Sequence, residues 1–230
     1  MGATSLEKVG SGSLLTLSGT SANTGSTKVS AGTLRSTVSG ALSATGSLLV
    51  AGGLLDVVDY NPNITLRVGT LGTARVTLSS GTLNGALDNA GSLTFTGNSL
   101  TLNGGANNAG SLTFTGNSLA LNGGANNAGT LNFTATSGTL SLGSLKGAGT
   151  TYFAGNAVIG GSISEGVVRA ADSATLYATV AGGSVTTGAL NSTTLYGGTI
   201  TLNAGTSLIK RIRNCFSPPG TISSAWTRER

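Results

Sequence analysis

Histidine is absent from these 230 residues, which removes Ser-His-Asp and Cys-His nucleophilic systems and the commonest metal ligand. Cys215 is the single cysteine, so an internal disulfide and a paired-thiolate zinc site are excluded. Of the seven acidic residues, one pair is close: Asp56 and Asp59 in LLDVVDYNPN, with Arg67 and Arg75 following. Carboxylates beside arginines are what a polysaccharide hydrolase or lyase needs for acid/base work and charge neutralisation. Three residues apart on a strand, however, the two point to opposite faces, and a solvated turn aspartate is the simpler reading. No P-loop, dinucleotide fingerprint or GGxGxD calcium repeat is written here. The expectation is a non-enzyme with no catalytic, cofactor-binding or metal residues. A different chemistry is display. Thr94 and Thr96, Thr113 and Thr115, then Asn132 and Thr134 recur nineteen apart, a Thr-x-Thr ladder that could order water at an ice surface. Outward threonine is also what β propensity selects on an uncharged surface.

The element that must position these residues is a repeat. DNAGSLTFTGNSLTLNGGA (88–106) is followed by NNAGSLTFTGNSLALNGGA (107–125), identical at 17 of 19 positions, and NNAGTLNFT begins again at 126. Self-similarity at a fixed short period means a stack of units, none able to bury its apolar face alone. Within a copy, Leu93 with Phe95 and Leu100 with Leu102 alternate at period two, so each pair is a short strand facing inward. Two strands and two Gly/Asn turns per nineteen residues predict an all-β fold, a right-handed parallel β-helix (β-solenoid) with ~19-residue coils. Stacking then places Phe95, Phe114 and Phe133 over one another inside. It places Asn89, Asn108 and Asn127 over one another at a turn, where amides bond along the stack.

Composition agrees. Glycine numbers 38, charged residues are 8% and aromatics 4%, yet 38% of the chain is hydrophobic, so low complexity reflects repetition and not disorder. The net charge of +5 is unevenly placed: Lys210, Arg211, Arg213, Arg228 and Arg230 against Glu229 give the last 21 residues +4, leaving 7 basic and 6 acidic residues before them. A nearly neutral body with one basic tail predicts no nucleic-acid partner. Pro218 and Pro219 stop strand pairing in that tail, so residues 1–208 read as the β-helix repeat domain and 209–230 as a basic, irregular C-terminal tail or cap. MGATSLEKVG has no apolar h-region, and no run approaches a membrane helix.

The stretch 7–35, EKVGSGSLLTLSGTSANTGSTKVSAGTLR, resembles the autotransporter-associated β-strand repeat, also called the passenger-associated transport repeat. The residues that carry the resemblance are Gly10, Gly12, Leu17, Ser18, Gly19, Asn23, Thr24, Gly25, Thr27, Val29, Ala31, Gly32, Thr33 and Leu34. SLLTLSG holds one residue more than the family's pattern, and a single insertion flips side chains unless a bulge absorbs it, so Leu14 and Leu15 mark an expected irregularity. The resemblance implies a β-helix passenger, exported to the extracellular space or the bacterial outer-membrane surface, with host surfaces or glycans as partners. The outer-membrane β-barrel translocator of that family is not written in this chain, nor is a signal peptide. Self-association through open β-helix ends is a further expectation. The functional expectation is a non-enzymatic structural passenger segment with an adhesive role. The alternatives are an ice-binding solenoid and a glycan hydrolase or lyase.

Overall fold

The computed structural model describes residues 4–21, 23–78, 81–134, 139–171, 175–187, 189–191, 194–195, 199–202, 208–209, 213–214 and 221–224, with side chains to Leu176 except those of 139, 165 and 175. Every strand pair is parallel. One column of register partners runs Leu6, Thr27, Leu48, Leu66, Leu87, Ala106, Ala125, Leu145, Ile163. The chain is therefore a parallel β-solenoid, and helix is absent among the described residues. The offset is 19 where the copies are exact, between Leu87 and Ala106 and between Ala106 and Ala125. It is 21 between Leu6 and Thr27 and 18 between Leu145 and Ile163.

Each coil of the exact copies has three strands, where alternation predicts two. Ala106–Asn108, Ser111–Thr115 and Ser118–Leu121 make one turn of the solenoid. The missed strand is ANN, three residues that composition assigns to a turn. It is extended because its backbone pairs with Leu87–Asn89 below and Ala125–Asn127 above, and those ladder bonds outweigh the weak strand preference of asparagine. Among the described residues, the third face begins at Thr82–Leu83. In the preceding coils that side is filled by Ala41, Leu42, Tyr60 and Leu78, all buried.

Corners are turned by glycine. Ser47–Val58 bends from the first face to the second at Gly52 and Gly53, where the register shifts and Gly53 has φ +75°. A Cβ there would stand 2.4 Å from the carbonyl oxygen of Gly32 in the coil below, so the rung spacing itself excludes a side chain. The core is one continuous apolar column. Phe95, Phe114, Phe133 and Phe153 stack with ring centroids 5.7, 5.3 and 5.2 Å apart and interplanar angles of 12°, 8° and 13°. The fourth ring comes from TTYF, outside the exact copies, and enters because Leu145–Phe153 keeps the register of Thr130–Phe133.

The irregularity expected at Leu14 and Leu15 lies elsewhere. Leu14–Leu17 pairs with Thr33–Ser36 in unbroken register. The extra length is in the turn before it: residues 9–13 join the strands Leu6–Lys8 and Leu14–Leu17, whereas 30–32 suffice in the next coil. The physical reason is Lys8, which is buried and heads an inward column followed by Val29, Val50 and Val68. The longer turn wraps its ammonium, which donates to the carbonyls of Val9 (2.5 Å), Gly10 (3.3 Å) and Ala31 (3.3 Å) and to Ser13 Oγ (2.6 Å). A buried cation needs such partners.

Parallel pairing also continues past residue 208: Arg213–Asn214 pairs with Thr194–Leu195, and Thr221–Ser224 with Thr199–Leu202. Cys215, Pro218 and Pro219 lie outside the described residues.

Candidate functional site: ladders inside and out

Asn89, Asn108 and Asn127 end the short first-face strands and point inward, with 3%, 2% and 0% of their surface exposed. They lie in strands, not at the turn that sequence spacing assigns them. Asn89 Nδ2 donates to Asn108 Oδ1 at 2.7 Å, Asn108 Nδ2 to Asn127 Oδ1 at 2.8 Å, and Asn127 Nδ2 to Thr151 Oγ1 at 3.2 Å. Each amide also donates to a carbonyl of the coil above: Ser111, Thr130 and Thr150. Thr151 therefore closes the ladder at one end. At the other end Asn89 Oδ1 is buried without a partner, because its rung below is Val68.

The outer side of the second face carries the threonines. Register sets Thr94 beside Thr113 and Asn132, and Thr96 beside Thr115. Thr134 Oγ1 donates to Thr115 Oγ1 at 3.2 Å, with the Phe114 carbonyl at the same distance. Thr96, Thr115 and Thr134 are exposed and Thr94 and Thr113 half-buried. A third outward row, Ser92, Ser111 and Thr130, completes the rungs. It is readable in the copies as the first residue of SLTFT. The middle row is bounded by Arg75 below Thr94 and Tyr152 above Asn132, so it is three rungs long, two threonines and one asparagine.

The candidate catalytic pair is divided between different partners. Asp56 Oδ2 accepts from Arg35 Nε at 3.1 Å. Asp59 lies at the corner with φ 54° and accepts from Ser39 Oγ at 2.7 Å. Arg67 reaches Asp88 instead, Nε to Oδ2 3.5 Å. Each carboxylate is thus engaged across coils by a different element. Glu7 belongs to the same pattern: the Ser30 hydroxyl and the Lys28 ammonium, 3.0 Å away, hold its carboxyl below the usual range. Among the described residues, no three His, Cys, Asp or Glu side chains gather where a metal could sit.

Two shallow hollows flank the outward row of the first face. One, of about 450 Å³, is lined by Arg67, Asp88, Asn107, Ala90 and Ala109 among others; the other, of about 230 Å³, has Gly104, Gly123 and Lys146 among its walls and shares Asn107 and Asn126. A further asparagine ladder, which sequence reading missed, climbs the exterior. Asn84 Nδ2 donates to Asn63 Oδ1 at 2.9 Å, Asn103 Nδ2 to Asn84 Oδ1 at 2.9 Å and Asn122 Nδ2 to Asn103 Oδ1 at 2.8 Å. Its signal is the Leu-Asn-Gly step at 83, 102 and 121. Comparison with protein-family models, with curated proteins and with solved structures returns no match.

Proposed function

We propose that the chain is a non-enzymatic structural scaffold, a passenger-like segment of a bacterial autotransporter-type surface or secreted protein that presents hydroxyl and amide faces for adhesion to a host surface or glycan. The observation that carries this reading is the parallel ladder, in which every coil leans only on its neighbours and internal columns of phenylalanine and asparagine align the copies. Such a stack gains length by adding coils, and three outward carboxylates, Glu7, Asp56 and Asp88, are paired across coils with Lys28, Arg35 and Arg67. The residues of the passenger-repeat resemblance support it further: Val29 and Leu34 are core positions, and Gly32 sits at φ +71° where the coil turns.

The test is to place the chain between an export signal and an outer-membrane β-barrel translocator in a bacterial host. Folded, protease-resistant protein detected by antibody at the cell surface, with binding to a glycan or matrix panel and no turnover of it, is the expected result. A folded chain held inside the cell, or glycan cleavage lost in Asp56→Asn, would sink the proposal. A second reading, ice binding, is favoured by the three outward rungs Ser92/Thr94/Thr96, Ser111/Thr113/Thr115 and Thr130/Asn132/Thr134. It requires inhibition of ice recrystallisation by the purified chain that Thr113→Lys abolishes.

A further inference from the structure

Asn103 and Asn122 stand in the same local sequence, Leu-Asn-Gly-Gly-Ala-Asn-Asn-Ala-Gly, and on the same exposed edge of the solenoid. Asparagine followed by glycine is chemically labile, because a glycine nitrogen meets no side-chain hindrance in attacking the carboxamide carbon. What separates the two residues is their place in the exterior ladder. Asn103 is held from both sides: its Nδ2 donates to Asn84 and its Oδ1 accepts from Asn122. Asn122 is held from one side only. Leu121 pairs with Leu142, so the residue above Asn122 is Gly143, which has no side chain to continue the ladder. Asn84 differs again, since the Gly85 nitrogen that would attack it donates to the Pro62 carbonyl at 2.9 Å.

We propose that Asn122 is a self-modification site, at which the native fold permits deamidation while suppressing it at Asn103 and Asn84. The Gly123 nitrogen gives up its proton to hydroxide and bonds to Asn122 Cγ. The Cγ–Nδ2 bond breaks and ammonia leaves, giving a succinimide. Water then opens the ring at either carbonyl, so that one water is consumed and one ammonia released, and the product is aspartate or its β-linked isomer. Nothing is oxidised or reduced. The carboxamide must first turn toward the following nitrogen. At Asn122 that breaks one side-chain hydrogen bond, at Asn103 two.

The aspartate product has a consequence for the whole edge. A carboxylate at position 122 accepts only, so the bond to Asn103 Oδ1 is lost in its present sense. If Asn103, Asn84 and Asn63 each turn their amides over, the same number of bonds forms with the opposite polarity, ending in a charge-assisted bond to the new carboxylate. That polarity is geometrically available, because the buried ladder from Asn89 to Asn127 already runs in it. One hydrolytic event at the last rung would thereby reset four residues and leave a negative charge at the edge.

The experiment is peptide mapping by mass spectrometry of the full chain aged in mildly alkaline buffer, natively and in urea, scoring amide-to-acid conversion and β-linked isomer at each Asn-Gly step. In urea Asn103 and Asn122 should convert at equal rates, since their neighbours match. Natively Asn122 should convert about fivefold faster than Asn103 or more, the factor set by one additional hydrogen bond of ordinary net strength. In Asn122→Ala, Asn103 becomes the last rung and its native rate should rise to that of wild-type Asn122. Equal native rates at 103 and 122, no native conversion at 122, or an unchanged Asn103 rate in Asn122→Ala would each overturn the proposal.

Discussion

Val68→Thr should be tolerated where the same exchange one rung below is not. Asn108 and Asn127 turn Oδ1 toward the preceding rung, where it accepts from the amide below. Asn89 is the first rung, and its buried Oδ1 meets Val68, which offers no donor. An unsatisfied buried acceptor of this kind costs about 1–3 kcal/mol. Threonine has nearly the shape of valine and places a hydroxyl at that position, as Thr151 does at the ladder's other end. Burying a hydroxyl without a partner costs roughly 1–3 kcal/mol in proteins. At position 68 that cost is met by a new bond to Asn89 Oδ1, so the net change should lie within about 1 kcal/mol of zero, with stabilisation the expected sign. Val50 is the control: it pairs with Val68 in the same column, is fully buried, and has valines above and below. Val50→Thr should lose the full ~1–3 kcal/mol. Urea unfolding read by far-ultraviolet circular dichroism, with equal m values for all three proteins, gives the comparison. If Val68→Thr and Val50→Thr lose the same stability, the ladder does not end on an orphaned oxygen and its polarity has been misassigned.

Tyr60 is buried with an unpartnered hydroxyl, and burial holds its phenol well above the usual tyrosine value. A raised acid favours the proton in the fold, so the shift is without effect well below the unfolded value of about 10 and takes stability away as pH rises beyond it. Removing the unpartnered hydroxyl in Tyr60→Phe should stabilise the protein by about 1 kcal/mol at neutral pH, and removing the ionisable group should blunt alkaline unfolding, both read from melts across pH. Asn108→Leu should cost about 2–5 kcal/mol, because it removes the buried donor to Asn127 Oδ1 and leaves Asn89 Nδ2 one partner short, whereas Asn107→Leu on the exposed side of the same strand should stay within about 0.5 kcal/mol. Deleting 88–106 joins Leu87 to Asn107, and since Leu87 and Ala106 are register partners, one coil is removed and the rest restack with Phe114 above Val76. That protein should fold and melt somewhat lower. A nine-residue deletion puts turns over strands and should aggregate, as size-exclusion chromatography would show.

How much of this was legible depended on whether neighbours or local pattern decide a residue's state. The period, the inward leucines and the Phe95, Phe114 and Phe133 column are local patterns written in register. The ANN strand is not local. Three residues of poor β propensity become a strand only because two other ANN or LDN segments lie above and below them. For the same reason Asn89, Asn108 and Asn127 read as turn residues although they are buried. The insertion near Leu14 was visible as one residue too many, but its place was fixed by the ammonium of Lys8, a long-range demand that no pattern in SLLTLSG records. The absent third face before Thr82 was equally hidden, since it is built from loops around Leu42 and Tyr60 that carry no periodicity.

The copies themselves show which contacts tolerate no variation. The first two differ at two positions, Asp88 against Asn107 and Thr101 against Ala120, and the third differs from the second over its first nine residues at Thr130 against Ser111 and Asn132 against Thr113. All of these lie on outward rows. There a mismatch costs little, and Asp88 still accepts from Asn107 Nδ2 at 3.0 Å. Inside, a mismatch in the asparagine column would orphan a donor and an acceptor at once. A column of n identical amides makes n−1 mutual bonds and leaves one open acceptor and one open donor however long it grows, so each added copy dilutes a fixed end cost. That favours exact duplication of the inner face and concentrates chemical individuality at ladder ends: at Asn89, where an oxygen is left over, and at Asn122, where an amide is left unlocked.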